Sequence, residues 1–86
     1  MPEISRFFGI VIKMFFEDHN PPHFHAFYGE YEVLVDINHL SVFAGSFPAR
    51  ALGLVIEWAT IHQAELLKDW VRAQNQKSLE KIPPLQ

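Results

Sequence analysis

The chain contains no cysteine, which removes disulfides, thiolate metal centres and cysteine nucleophiles and leaves histidine and carboxylates as the only strong metal ligands. No apolar run approaches the ~18 residues needed to cross a bilayer, and the opening MPEISRF mixes charges where a secretory signal would place a basic and then an apolar stretch. A cytoplasmic protein without a membrane partner is expected. Positive charge is scarce, seven Lys and Arg against ten Asp and Glu, so nothing draws the chain generally to phosphate backbones and nucleic acid is not favoured. There is no repeat, no low-complexity stretch and no linker, and 86 residues make one small domain. What is plentiful is apolar and aromatic surface, 49% and 14% of the residues, enough for a packed core.

FGIVIKMFF, residues 8–16, is apolar and β-branched throughout apart from Lys13 and reads as a strand covered on both faces. EDHNPP ends it in a rigid loop, because each proline lacks an amide donor and keeps its predecessor out of the helical region. HFHAFY and YEVLVDI, flanking Gly29-Glu30, form a hairpin in which Gly29 supplies the positive φ of a two-residue turn. A second tight turn at Asn38-His39 leads into Leu40–Ala44. Ser46 is placed to cap a helix with Pro48 in its first turn.

From Ala49 to about Asn75, the stripe Leu52, Val55, Ala59, His62, Leu66, Trp70, Ala73 recurs at helical spacing. One long helix would span roughly 40 Å at about 1.5 Å per residue, more than the sheet needs. Its far end, with Trp70, is therefore an interface candidate. A break is the alternative, since Thr60-Ile61-His62-Gln63 also reads as a capping box. His62 is most simply a packed core histidine. The expected fold is α+β, an antiparallel meander of about four strands with one long C-terminal helix packed on one face. The domain is expected over residues 1–76, with 77–86 a loosely held tail.

HNPPHFHA, residues 19–26, holds three of the five histidines. If Gly29-Glu30 is a two-residue turn, Tyr28 pairs with Tyr31 and His23 with Asp36. Alternation then puts Phe24, Ala26, Val33 and Val35 under the helix, and His23, His25, Phe27, Glu32, Leu34 and Asp36 on the other face. Continuing the register across Asn38-His39 pairs Asp36 with Ser41 and Leu34 with Phe43. Three readings compete for the cluster. A divalent ion such as zinc would use His19, His23 and His25 with Asp18 or Asp36, since i and i+2 strand residues share a face. A catalytic set would use His23 and His25 with Asp36 as general base and orienting acid. The plain reading is a structural cross-strand contact between His23 and Asp36 and a loop shaped by His19.

PEISRFFGIVIKMFFEDHN, the HNPPHFHA block and PARALGLVIEWATIHQAELLKDW together resemble DUF4160, a family built around a domain of unknown function. The resemblance covers nearly all of Pro2 to Trp70. It implies a small bacterial or archaeal cytosolic protein of the kind encoded beside another short domain, in arrangements like toxin–antitoxin pairs. His19, Asn20, Pro21, Pro22, His23 and His25 match the family's most recognisable block, and Glu57, Trp58, His62 and Gln63 a second. Phe15-Phe16 departs from the expected polar strand end, which makes Phe15 and Phe16 interface candidates. The functional expectation is a protein-interaction module, one half of such a pair or a homo-oligomer. An RNase-like toxin using His23, His25 and Asp36, or a histidine metal-binding domain, stands behind it.

Overall fold

The computed structural model describes residues 2–86. Five antiparallel strands, β1 (Glu3–Phe7), β2 (Ile10–Lys13), β3 (His23–Tyr28), β4 (Tyr31–Asp36) and β5 (Ser41–Ser46), form one sheet in sequence order. Two helices follow, α1 (Ala49–Ile61) and α2 (Gln63–Gln74). The α+β class stands, but the count of four strands and one long helix is corrected to five and two.

The additional strand comes from a turn hidden in the apolar run 8–16. Phe8 and Gly9 both take positive φ, 48° and 79°, and join β1 to β2 as a two-residue turn with Phe7 opposite Ile10. A bulky Phe in the left-handed region is costly, and its ring lies exposed at the hairpin tip. The β3–β4 hairpin follows the expected register, from Tyr28 opposite Tyr31 to His23 opposite Asp36. β5 departs from it: Asp36 faces Ser41 and Val35 faces Val42, but Leu34 faces Ala44, so Phe43 is the extra residue of a bulge. Ser46 belongs to β5 rather than capping α1, whose N-cap is Pro48.

Phe24, Ala26, Val33 and Val35 are fully buried beneath the helices. The Trp58 ring meets Phe24 edge-on at 5.7 Å and Phe7 at 5.4 Å. The helix breaks at His62 (φ −112°, ψ 24°), which ends α1 and precedes α2. The capping box does not cause it. Thr60 Oγ1 donates back to the Ile56 carbonyl, a bond that bends helices, while Gln63 Nε2 donates to the carbonyls of Ile37 and Asn38. Gln63 thereby pins the start of α2 to the β4–β5 loop. Gln76 (φ 58°) closes α2, with its amide donating to Ala73 and the Lys77 amide to Arg72, the paired bonds of a Schellman motif.

The tail is not loosely held. Ile82 is buried, its amide donates to the Ile4 carbonyl on β1, and Trp58 Nε1 donates to the Pro83 carbonyl at 2.9 Å. The tail thus packs along β1, one edge of the sheet. All six residues of β5, the other edge, are exposed.

Candidate metal centre

The β2–β3 loop, residues 14–22, delivers Asp18 to the start of β3, where His23 and His25 stand two residues apart on one face. A single oxygen, Asp18 Oδ2, lies 3.1 Å from His23 Nε2 and 2.9 Å from His25 Nε2. The three ligand atoms lie within 4.8 Å of one another. Both Nδ1 atoms are also held. His23 Nδ1 donates to the Pro21 carbonyl at 2.8 Å, and His25 Nδ1 lies 3.0 Å from Glu32 Oε2.

These four contacts constrain the protons. A neutral imidazole carries one N–H. The Pro21 carbonyl accepts only, so the His23 proton sits on Nδ1 and its Nε2 lone pair faces a carboxylate oxygen. With both rings neutral, the His23 Nε2 lone pair faces the Asp18 oxygen with no proton between them, and His25, between two carboxylates, can donate to only one of them. A divalent ion held among the three atoms would relieve these contacts.

The surroundings are apolar. Phe15 meets the His25 ring edge-on at 4.6 Å, Phe27 stacks parallel to it at 6.3 Å, and His23 is flanked by Phe43 and Trp70, each at 5.3 Å. Gln74 Nε2 donates to the Asp18 carbonyl at 3.2 Å, so the end of α2 is tied to the same loop. His23 is buried, whereas the His25 and Asp18 side chains keep 12% and 26% of their surface exposed.

Several expected site residues lie elsewhere. Asp36 stands opposite His23 in the ladder, but its carboxylate accepts from the His39 amide at 2.9 Å and lies 3.2 Å from His39 Nδ1. The His39 amide bond, above all, holds the Asp36 carboxyl below the ordinary aspartate value, against desolvation that pushes the other way. Asp36 therefore joins neither the metal set nor a catalytic pair with His23. His19 is exposed and outside the cluster. Trp70, expected at an interface, is only 5% exposed and packs on His23, so its ring belongs to the core. That contact also corrects the placement of His23 clear of the helices. Phe15 and Phe16 are half-buried, Phe15 on His25 and Phe16 against the core. Glu32 was readable as a same-face neighbour of His25, and the turn register was its signal. Asp18 stood beside Asp36 as a candidate carboxylate ligand, and it is Asp18 that folds back onto the two histidines.

No helix among the described residues is long and apolar enough to cross a membrane. Comparison with curated proteins and with solved structures finds no match. A family model does match, over residues 9–71, a span that takes in the β2–β3 loop, both site histidines and α2 through Val71. The chain belongs to DUF4160, a family defined by a domain of unknown function.

Proposed function

We propose that the protein binds one divalent metal ion between Asp18 Oδ2, His23 Nε2 and His25 Nε2. The observation that carries this reading is the convergence of both Nε2 atoms on one carboxylate oxygen while both Nδ1 atoms are held by oxygen acceptors. A metal-binding histidine characteristically gives its other N–H to a carbonyl or carboxylate, which fixes tautomer and ring orientation. Bonds of about 2.0 Å at tetrahedral angles space ligand atoms about 3.3 Å apart, so the observed 2.9 and 3.1 Å need to open by only a few tenths of an ångström. Two imidazoles and a carboxylate suit zinc or a similar borderline ion, and three protein ligands leave a position for water or substrate. A bound ion there would make its water a better acid, the starting point for hydrolysis.

The test is to strip the protein with chelator, reload it with zinc, dialyse, and measure ions by elemental analysis. One equivalent is expected in the wild type, with at least tenfold weaker binding in Asp18→Asn and His25→Ala. Retention that ignores both substitutions would remove the reading.

The interaction-module reading is supported by a different observation. β5 is an open edge with no charged residue, and Val42 and Phe43 on it are 37% and 47% exposed. An edge of that kind is a template for strand addition by a partner chain. If the protein works as half of a two-protein pair, it should co-purify with the product of the neighbouring gene. His25→Ala should keep that complex and Val42→Lys should break it; the reverse pattern would count against the edge.

A further inference from the structure

Only one face of α2 is covered by the rest of the fold. Leu66, Asp69, Trp70 and Ala73 turn inward and are buried. On the outer side Ala64, Leu67 and Val71 follow one another at intervals of three and four residues, the spacing of an apolar seam on a helix. Ala64 is exposed, Leu67 is half-buried, and Val71 keeps 58% of its surface open to solvent. Leu67, Val71, Lys68 and Arg72 line an open hollow of about 400 Å³, and no acid is among them. The two basic side chains have apolar stems and charged ends that favour water, so the hollow combines an apolar floor with a cationic rim. Lys68 has no ion-pair partner among the described residues, whereas Arg72 gives one nitrogen to Asp69 at 2.7 Å.

We propose that this outer face of α2 docks an amphipathic helix of a partner protein, one with apolar residues at the same spacing and carboxylates beside them. The backbone of α2 is bonded within the helix, so it offers a partner its side chains only, and the strand addition open to β5 is closed here. Residues three and four apart on a helix lie about 5–6 Å from one another, so the seam of a second helix laid alongside meets this one at a matching repeat. Ala64 is small enough to let the two backbones approach. Charge decides whose helix it is. A second copy turned about a two-fold axis through the hollow would set Lys68 and Arg72 against their own counterparts, like against like, while Glu65, the acid of the first turn, is held by His62. A lipid or nucleic-acid phosphate surface would meet two cations on a chain of net charge −3. An acidic amphipathic helix satisfies both the floor and the rim. The face lies on residues that neither the metal site nor the β5 edge uses, so the inference rests on neither reading.

Two synthetic helical peptides test it against the full chain by fluorescence anisotropy. Both carry leucine at the seam positions; one has glutamate beside the seam and the other lysine. The glutamate peptide should bind with Kd of about 10–100 μM and the lysine peptide about tenfold more weakly or worse. Val71→Asp and Lys68→Glu stand at exposed positions, with folding checked by circular dichroism, and each should weaken the glutamate peptide about fivefold or more. Lys68→Glu should also narrow the preference between the two peptides. Val42→Lys on β5 should leave binding unchanged, which separates this face from the sheet edge. No binding of the glutamate peptide, equal binding of both peptides, or binding indifferent to Val71→Asp would overturn the proposal. So would a wild-type dimer that Val71→Asp dissociates, or tighter Val71-dependent binding to phosphatidylserine vesicles or single-stranded RNA than to the glutamate peptide.

Discussion

Trp70→Ala separates a core residue from an interface residue. Trp70 is 5% exposed, and its ring lies 5.3 Å from that of His23. A tryptophan buries about 150–250 Å², which at about 25 cal/mol/Å² corresponds to about 4–6 kcal/mol. Tryptophan-to-alanine changes in cores cost about 3–5 kcal/mol once partial collapse of the cavity is included. A domain of this size has a total stability of only about 4–13 kcal/mol. The substitution should therefore remove about a quarter or more of the stability, lowering the urea midpoint by about 2 M if the slope is about 2 kcal/mol/M. Metal-free protein should be used, so that lost binding does not add to the loss. Size-exclusion chromatography of the folded variant should show the same association state as the wild type. An unchanged urea midpoint together with lost self-association would refute the placement of Trp70 in the core.

Three other perturbations probe neighbouring parts of the account. Gly45 has φ 85°, and a Cβ there would come within 2.1 Å of the Glu32 carbonyl oxygen; Gly45→Ala should cost about 2 kcal/mol or more in thermal unfolding. The same substitution should weaken metal binding, because displacing Glu32 loosens its hold on His25. Ile82→Ala should cost about 2 kcal/mol or more despite its place near the chain end, and a cost near zero would return the tail to the loosely held state. Asp36 has its carboxyl held below the ordinary aspartate value by the His39 amide. The stability it contributes should be complete above about pH 3.9 and lost as the pH falls through the lowered value. Asp36→Asn should accordingly be less stable than wild type at neutral pH, with the gap closing in acid; a gap independent of pH would show that the charge is not what His39 holds.

The legible parts of the sequence were those where a short-range rule decides a long-range fact. Gly29-Glu30 is such a place. A two-residue turn fixes the β3–β4 register, and alternation then puts His25, Phe27 and Glu32 together on the face opposite Phe24 and Val33. The β1–β2 turn escaped because Phe8 takes positive φ inside an apolar run; Gly9 was the only mark of it. The helix break stood only as the alternative at Thr60-Ile61-His62-Gln63, because neither glycine nor proline stands at His62; at that place a threonine bonds backward and a glutamine is tied to another element. The carboxylate of the site escaped in part for a related reason. Asp36 was the ladder neighbour of His23, but the chain turns so that His39, three residues on, claims it first. Asp18 reaches the cluster through a proline-rich loop whose path no periodicity describes.

The central claim is that Asp18, His23 and His25 hold a divalent ion through one oxygen and two Nε2 atoms, and X-ray absorption on the zinc-loaded protein tests it most directly. The account predicts two imidazole nitrogens and one carboxylate oxygen at about 2.0–2.2 Å, with a water oxygen in the remaining position. Loss of the imidazole scattering in the His23→Gln, His25→Gln double variant should accompany loss of the ion. A spectrum of oxygen neighbours alone, or one that the double substitution leaves unchanged, would contradict it.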